Sequence, residues 1–305
     1  MASPVILVFG AAGQVGSATA RHAKQYGAMV HLAMRNPQKP IPALSSGEGV
    51  QEGYQRVRAD LTDSQSVHDA VRQTGATRAF IYLAHRSPDN MKSVVQALKS
   101  AGVEFVVFLS SQAVKGDPQN ALPENFVPWT HAQVEIALEE EFGRENFVAL
   151  RPAFFASNAL WWKTMIQEGE VRLATPDAEF DWITPGDIGS VAAALLVNAL
   201  KEKPKWPYLY LYGPKLVSLR DGLSIIAEIL GKEIKFTQVD KSEVVNFLEK
   251  RVGMPEPMAR QLADAFERRA QRSDGEYSDA AYKDDKGNIS RYTGRPGMIL
   301  KDWVS

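Results

Sequence analysis

Three residues near the start of the chain have types and spacing suited to chemistry. They are the glycines Gly10, Gly13 and Gly16. An apolar run, Val5–Phe9, precedes them and predicts a buried strand, and residues 17–26 predict a helix. In such a turn the first glycine allows the tight bend, the second lets the backbone approach a pyrophosphate, and the third lets helix pack against strand. The amides and dipole of the helix N-terminus then favour the phosphates.

A glycine pattern alone often marks nothing more than a turn, but this one stands between a predicted strand and a predicted helix. The segment therefore predicts a dinucleotide-binding site. The residues predicted to line it are Gly10, Ala12, Gly13, Gln14, Val15 and Gly16.

The end of the second predicted strand, residues 29–34, indicates which dinucleotide binds. An enzyme that selects NAD usually has an acidic residue here, which binds the ribose hydroxyls. This chain has Arg35 instead, followed by Lys39. The guanidinium suits a 2′-phosphate, and Lys39 supplies a second positive charge. The predicted cofactor is therefore NADP(H), bound by both side chains. The alternative is that both are solvated surface cations.

The composition excludes several classes of function. The chain has 305 residues, 45% of them hydrophobic, and 35 basic against 36 acidic residues give a net charge of −1. That balance favours neither nucleic acid nor a membrane surface as a partner. Cysteine is absent, which excludes disulfides and thiolate catalysis. The five histidines show no metal-ligand spacing, so no metal site is expected.

No apolar run reaches the ~18 residues of a membrane-spanning helix, and the first predicted strand begins close to the N-terminus. We therefore expect no signal peptide and a cytoplasmic location. The expected partner is an apolar, conjugated small molecule, and the chain is expected to be a monomer or a homodimer.

Strands and helices alternate through residue 150, which predicts an α/β fold with a Rossmann-type, doubly wound parallel sheet. Residues 1–152 predict the NADP(H)-binding Rossmann core. Residues 153–305 are predicted to form a smaller, mixed C-terminal substrate lobe. Its helix at 185–200 is predicted to pack back on the core. The polar stretch 273–295 predicts a surface excursion.

Five segments, in this order, together resemble the NmrA-like atypical short-chain dehydrogenases. They are Phe9–Gly16, Arg35-Asn36-Pro37, Ala59-Asp60-Leu61-Thr62-Asp63, Leu150-Arg151-Pro152 and Thr184-Pro185-Gly186-Asp187-Ile188. The group includes triphenylmethane and quinone reductases, ergot-pathway reductases and redox-sensing regulators. The ending Thr293–Val304 resembles the closing segment of the ergot-type reductases.

The resemblance implies further cofactor residues at the ends of the predicted strands. Asp60 and Leu61 would flank adenine, Leu83, Ala84 and His85 would run beside the nicotinamide ribose, and Ser110 and Ser111 would lie near the nicotinamide. Other interpretations stay open. In one, Asp60 caps the helix that begins near Asp63 instead of binding adenine. In another, the two serines satisfy backbone groups at the strand end and do not bind the cofactor.

The resemblance also points to a missing catalytic pair. Typical short-chain dehydrogenases carry Tyr-x-x-x-Lys on the helix after the fifth strand, and the Tyr passes a proton to the substrate oxygen. Here Val127 stands in the Tyr position and His131 in the Lys position. Many NmrA-like reductases also lack the pair, so hydride transfer is still expected. Simple alcohol–ketone chemistry is disfavoured, because an alkoxide needs a proton in the transition state.

Two histidines are candidates for the chemistry that remains. His131 either binds the nicotinamide ribose or shuttles a proton, or it makes only a local hydrogen bond on its helix. His85 follows the fourth predicted strand, at the sheet edge where ligands gather. The predicted catalytic residues are His131, Ser110 and His85, and His131 is also a predicted cofactor residue.

Aromatic residues cluster after the sixth predicted strand. The predicted substrate-binding residues are Phe154, Phe155, Asn158, Trp161, Trp162 and Trp182. Such rings can wall a flat apolar pocket; the alternative is that they form ordinary core. Asn158 either orients a substrate carbonyl or caps a turn.

The sequence predicts an NADPH-dependent reductase of a conjugated or aromatic small molecule, such as a quinone, an iminium or an enone. A delocalised electrophile accepts hydride without a dedicated acid, which fits the missing Tyr-Lys pair. One alternative is a regulator that senses NADP(H) without turnover. Another is a non-redox isomerase or cyclase on the same fold.

Overall fold

The computed structural model describes residues 3–45, 54–198, 204–271, 277 and 280–305. The described residues form two compact units. Unit 1 takes those within residues 1–152, 185–211 and 288–295, and unit 2 takes those within 153–184, 212–287 and 296–305.

Eleven strands occur among the described residues. In chain order they are β1 (Val5–Phe9), β2 (Met29–Met34), β3 (Gln55–Arg58), β4 (Arg78–Tyr82), β5 (Phe105–Leu109), β6 (Phe147–Pro152), β7 (Glu170–Leu173), β8 (Glu179–Phe180), β9 (Tyr208–Leu211), β10 (Val217–Ser218) and β11 (Lys235–Gln238).

The α-helices of the described residues number thirteen. They are α1 (Gln14–Gln25), α2 (Pro42–Ser45), α3 (Ser64–Thr74), α4 (Lys92–Ala101), α5 (Phe126–Phe142), α6 (Lys163–Glu168), α7 (Pro185–Asn198), α8 (Leu219–Ile229), α9 (Lys241–Phe247), α10 (Glu256–Ala270), α11 (Ala280–Asp285), α12 (Asn288–Thr293) and α13 (Leu300–Val304). Short 3₁₀ segments cover Pro118–Asn120 and Ala156–Trp162, and a π-helical turn, Leu248–Val252, follows α9.

Seven strands of unit 1 form one sheet in the order β3-β2-β1-β4-β5-β6-β9, and every neighbouring pair is parallel. The inner strands are mostly apolar because helices cover both faces; Leu7, Val8 and Val106 are fully buried. The strand order reverses between β1 and β4, and ligands of such sheets bind outside the carboxyl ends of the strands at that point. The predicted Rossmann-type parallel sheet is confirmed.

Helix α7 packs closely against α1 within unit 1 because small residues meet there. A Cβ added to Gly189 would lie 2.5 Å from the Cβ of Ala18 and 2.7 Å from the backbone N of Thr19. Any side chain at Gly189 would therefore push the two helices apart.

The chain also returns to unit 1 at two places that the sequence assigned to the second lobe. Strand β9 pairs with β6 as an edge of the large sheet. Further on, Asn288 is fully buried and donates a hydrogen bond from Nδ2 to the backbone oxygen of Tyr210 at 3.0 Å.

Arg295 anchors the end of the second returning segment. Its guanidinium binds Asp187 Oδ1 at 2.8 Å and Ser190 Oγ at 3.0 Å, both on α7. The prediction of a surface excursion is therefore wrong for residues 288–295, because buried polar groups dock that segment on unit 1. Residues 273–276 and 278–279 of the predicted excursion lie outside the described residues.

Unit 2 contains two small sheets, in which β8 pairs antiparallel with β10 and β7 pairs parallel with β11. Within the parts of the chain that the structure describes, no helix is both long and apolar enough to cross a bilayer.

Candidate functional site

The glycine turn joins the end of β1 to the start of α1. Gly10 has a φ of +71°, a left-handed conformation that favours glycine. Its carbonyl oxygen accepts a hydrogen bond from the N–H of Gly13 at 2.8 Å. Gly13 is the N-cap of α1 and provides no side-chain capping bond. A helix N-terminus without a capping side chain leaves backbone N–H groups for an anionic ligand.

Gly13 and Gly16 differ in what a side chain would meet. A Cβ on Gly16 would lie 2.3 Å from the carbonyl oxygen of Gly10, so the turn itself requires glycine there. A Cβ on Gly13 would lie 3.3 Å from the same oxygen, which a small shift relieves, and would meet no other described atom within 4 Å. The space above Gly13 is therefore open for a pyrophosphate to approach.

Tyr82, which the sequence analysis missed, covers the other side of Gly10. A Cβ on Gly10 would lie 2.8 Å from the Tyr82 ring, and the tyrosine is 38% exposed. The sequence signal was available, because Tyr82 ends an apolar strand, and the fourth strand of a Rossmann-type sheet lies beside the first.

The loop after β2 presents the two predicted cations to solvent. Arg35 and Lys39 are exposed, and neither side chain has a partner among the described residues. The backbone between them is held by Arg56 of β3, whose Nη1 donates to the carbonyl oxygens of Pro37 at 2.8 Å and Lys39 at 3.0 Å. A phosphate can therefore bind these cations without first breaking an internal ion pair.

The predicted adenine-flanking residues lie in the turn before α3. Asp60 Oδ1 accepts hydrogen bonds from the N–H and hydroxyl of Thr62, at 3.0 and 2.9 Å. The N-cap of α3 is Asp63, which accepts two N–H groups of the first turn. The alternative that Asp60 caps this helix is therefore wrong. Leu61 is buried in the sheet core, so only its backbone is available to a ligand.

The segment after β4 places its three predicted residues differently. Leu83 is buried in the core, Ala84 is half-buried, and His85 is exposed. The ring of His85 stacks on Phe126 with centroids 6.4 Å apart. Partial burial lowers the pKa of His85, so its imidazole is neutral near pH 7.

Ser110 and Ser111 follow β5 and have different surroundings. Ser110 is buried, and its hydroxyl donates a 2.5 Å hydrogen bond to Oε1 of Glu135 on α5. Ser111 is half-buried, and its hydroxyl accepts the N–H of Ala113 at 3.2 Å. The hydroxyl proton of Ser110 is thus committed to a carboxylate, which favours a positioning role over the expected catalytic one.

His131 lies in the second turn of α5, half-buried beside Phe108 of β5. Its Nδ1–H donates to the carbonyl oxygen of Val127 at 2.8 Å, which leaves Nε2 as a hydrogen-bond acceptor. Burial lowers the pKa of His131 to about 4, against the opposing effect of the Val127 hydrogen bond, and the electrostatic interaction with His85 lowers it further. A neutral imidazole of this kind accepts a hydrogen bond from a hydroxyl and has no proton to donate from Nε2.

Half of the predicted substrate residues lie in the core of unit 2. Phe154 is 8% exposed, Trp162 2% and Trp182 1%. Phe154 packs edge-on against Trp182 with centroids 5.1 Å apart, and Trp162 stacks with Phe247 at 6.3 Å. The structure thus assigns Phe154, Trp162 and Trp182 to core packing instead of an open pocket wall. The other predicted residues, Phe155, Asn158 and Trp161, keep partly exposed side chains.

Trp182 is also fixed by its backbone. Its φ of +47° is unusual for a bulky residue. The indole Nε1–H donates to the carbonyl oxygen of Val217 at 2.9 Å. A Cβ on Gly222 would lie 2.5 Å from the indole. This close packing leaves no space for a ligand on that face of the ring.

Comparison with known proteins identifies the family. The model of the NmrA-like family matches residues 2–292. The chain belongs to the NmrA-like family. It is 38% identical to the nitrogen metabolite regulation-like protein bik4 of Gibberella fujikuroi, over 98% of this chain and 95% of that protein.

Two further comparisons cover almost the whole chain. It is 27% identical to the (4-alkanoyl-5-oxo-2,5-dihydrofuran-3-yl)methyl phosphate reductase of Streptomyces griseus, over 98% of this chain and 96% of that protein. The solved structure of the NADPH-dependent quinone oxidoreductase QOR2 of Escherichia coli, complexed with NADPH, superposes with a TM-score of 0.73. That likeness has 20% sequence identity and covers 98% of both chains.

Apart from His131 on α5, the predicted cofactor residues share one edge of the unit 1 sheet. The glycine turn, the Arg35 loop, the Asp60 turn, and the segments after β4 and β5 all follow the carboxyl ends of their strands. A dinucleotide can therefore lie along this edge, with its phosphates at α1.

A prediction about stability concerns Gln112, in the loop after β5. Its Nε2 is buried without a hydrogen-bond partner among the described residues. Gln112→Met keeps the length of the side chain and removes the unsatisfied amide. We expect the free energy of unfolding to rise by about 1 kcal/mol, the lower end of the cost of such a group. Urea unfolding measures this change.

The control for that experiment is Gln119→Met, at an exposed position of the following 3₁₀ segment. This change should alter the free energy of unfolding by less than ~0.5 kcal/mol. A destabilised Gln112→Met protein beside an unaffected control would show that the amide of Gln112 is satisfied in solution.

Proposed function

We propose that this chain is an NADP(H)-dependent reductase that transfers hydride to a conjugated or aromatic small molecule. The observation that carries the proposal is the uncapped N-terminus of α1 at the glycine turn, on the same sheet edge as Arg35, whose side chain has no partner within the part of the chain that the structure describes. Backbone N–H groups and an exposed guanidinium together suit a dinucleotide that bears a 2′-phosphate.

NADPH, when bound, supplies a hydride. Two of the predicted catalytic residues offer little acid catalysis: His131 is neutral, and the Ser110 hydroxyl is bonded to Glu135. Helix α5 contains neither Tyr nor Lys. These features favour an electrophile that spreads the incoming charge over a conjugated system. In an enone or quinone the electron pair moves onto a carbonyl oxygen, and water protonates it afterwards.

The names of the relatives support the same reaction class. The Streptomyces griseus relative is named a reductase of an alkanoyl-substituted oxo-dihydrofuran, and the Escherichia coli neighbour is titled an NADPH-dependent quinone oxidoreductase. A ring C=C next to a carbonyl occurs in both substrates. We propose Phe155, Asn158 and Trp161 as substrate-binding residues, since their side chains are partly exposed.

The test is a comparison of electrophile classes. Purified protein is mixed with NADPH and with a quinone, an enone or a cationic iminium dye, and the initial rate of NADPH consumption is recorded. We expect turnover of at least one conjugated carbonyl and none of a simple ketone. Gly13→Val is the control for reaction outside the site. NADPH consumption at the uncatalysed rate with every class would contradict the proposal.

A second candidate is a regulatory protein that binds NADP(H) without turnover, and the name of the Gibberella fujikuroi relative favours it. A regulator of this kind distinguishes NADP⁺ from NADPH by affinity. Calorimetry with both forms, together with the absence of turnover, would support this candidate over the reductase.

A prediction about His131 follows from its neutral imidazole. If Nε2 accepts a hydrogen bond from the nicotinamide ribose, His131→Ala should raise the KM for NADPH about tenfold, the size of one lost hydrogen bond. The pH–rate profile should keep its shape between about pH 5 and 8, because a group with a pKa of about 4 does not titrate there. Steady-state kinetics across that range measures both quantities.

The matched variant is His131→Gln, which keeps an acceptor atom and cannot titrate. It should recover part of the NADPH affinity lost in His131→Ala. Loss of one limb of the pH–rate profile in both variants would show that His131 is the acid, and unchanged kinetics would leave it an ordinary helix residue.

A further inference from the structure

A buried ion pair lies in unit 1 below the loop that follows β5. Glu135 of α5 is 2% exposed and Arg151 of β6 is 0% exposed. Arg151 Nη2 donates to Glu135 Oε2 at 2.6 Å, and its Nε donates to Oε1 at 3.1 Å. The Ser110 hydroxyl donates to the same Oε1 at 2.5 Å. The carboxylate is therefore fully engaged by a bidentate guanidinium and a hydroxyl.

The remaining donor of Arg151 reaches the far end of the same loop. Its Nη1 donates to the carbonyl oxygen of Gly116 at 2.8 Å and to the hydroxyl of Tyr210 at 3.1 Å. Tyr210 in turn accepts the N–H of Gly116 and donates to the carbonyl oxygen of Val114, both at 3.0 Å. The ion pair thus holds both ends of loop 110–116.

Stability alone gives a weak reason for such a pair. Removing two charges from water costs several kcal/mol per ion, and well-packed apolar residues often replace a buried pair without loss. Burial lowers the pKa of Arg151, but the hydrogen bonds and charge of Glu135 outweigh it, so that the pKa lies above its usual value. The Arg151 guanidinium therefore remains charged, and its two hydrogen bonds to Glu135 fix the geometry of the pair.

The position of the loop indicates what that geometry serves. In a doubly wound sheet the two halves bind the two halves of a dinucleotide across the point where the strand order reverses. Arg35 and the glycine turn lie on the β1–β3 half, which leaves the β4–β6 half for the nicotinamide. Loop 110–116 follows β5 in that second half.

We propose that Glu135 and Arg151 are positioning residues that hold loop 110–116 in the shape that receives the nicotinamide half of the cofactor. The inference rests on the proposed function for its ligand. It assigns Ser110 an indirect role, because its hydroxyl joins the loop to the ion pair instead of touching the substrate.

The test compares two nucleotides. NADPH carries the nicotinamide half, whereas 2′,5′-ADP carries only the adenosine and phosphates. Glu135→Gln should weaken NADPH binding about tenfold, as for one lost hydrogen bond, and leave the affinity for 2′,5′-ADP unchanged. Glu140→Gln is the matched control, because Glu140 lies on the same helix and its carboxylate pairs with Lys92 at the surface.

A second variant separates positioning from folding. Glu135→Leu/Arg151→Met removes both charges at similar volume, so no unpaired ion is left in the core. We expect this protein to fold and to show the same selective loss of NADPH affinity. In the nucleotide-free protein, hydrogen exchange of the amides of residues 110–116 should be faster than in the wild type, while the amides of β1 and β2 are unchanged.

Three outcomes are decisive. Faster exchange in loop 110–116 with a selective loss of NADPH affinity supports the proposal. The proposal is overturned if hydrogen exchange of residues 110–116 is unchanged in the folded double variant. It is also overturned if the affinities for NADPH and 2′,5′-ADP fall equally. A wild-type protein that binds neither nucleotide contradicts the proposed function, and the exchange measurement then decides separately whether the ion pair holds the loop.

Discussion

Gly13→Val is expected to abolish NADPH binding while the protein still folds. The Cβ of a side chain at this position meets only the carbonyl oxygen of Gly10, at 3.3 Å, so a small shift of the turn accommodates it. The methyl groups would then occupy the space in which the backbone of α1 must approach the pyrophosphate. The melting temperature measured without and with saturating NADPH reports both effects. We expect a native-like melting temperature and no shift with cofactor.

Gly16→Ala provides the contrast within the same turn. Its Cβ would lie 2.3 Å from the Gly10 oxygen and 2.6 Å from the carbonyl carbon. We expect a loss of about 3 kcal/mol in the free energy of unfolding, the upper end of the cost of overpacking. A Gly13→Val protein that NADPH still stabilises would show that this turn does not hold phosphate.

Most of the sheet could be predicted because the sequence signals for its strands lie within the strands themselves and the turns beside them. Buried strands such as β1 and β5 are short apolar runs between turn residues, and their alternation with helices indicates a parallel sheet. Strand β9 falls in the stretch 153–305 that was expected to form the substrate lobe, yet it completes the large sheet beside β6. No local pattern in residues 208–211 indicates that partner, because pairing across a long separation depends on the whole topology.

The docking of residues 288–295 was missed for a related reason. The stretch is polar, and polar stretches are usually solvated. Here Asn288 and Arg295 use their polar groups to bind the backbone of Tyr210 and the side chain of Asp187. Composition cannot distinguish a buried, satisfied polar group from an exposed one.

The ion pair below loop 110–116 did leave a signal in the sequence. Arg151 stands in the apolar strand β6, and Glu135 stands on an apolar stretch of α5. A single charge within an apolar strand and another within an apolar stretch of a helix indicate that the two charges pair, since an unpaired charge in the core is too costly. The aromatic residues gave no comparable signal, because rings such as Phe154 and Trp182 suit a core and a pocket equally well.

The second large effect is expected at Arg35. Arg35→Ala should weaken NADPH binding roughly 10- to 100-fold, or about 1.5–3 kcal/mol, the usual worth of a hydrogen bond to a charged group. NADH lacks the 2′-phosphate, so its affinity should change little. Because Arg35 is exposed and has no partner among the described residues, the substitution breaks no internal contact. Calorimetry with both nucleotides at low ionic strength measures the two affinities.

Two further variants sharpen this experiment. Lys39→Ala should produce a smaller loss with the same preference, because an ammonium binds a phosphate as a point charge without the bidentate geometry of a guanidinium. Arg72→Ala removes an exposed cation from the last turn of α3 and should alter neither affinity. The loss in Arg35→Ala should also shrink as salt is raised, because an exposed charge pair is screened. Equal losses of affinity for NADPH and NADH in Arg35→Ala would show that the 2′-phosphate does not bind here and that Arg35 is only a surface cation.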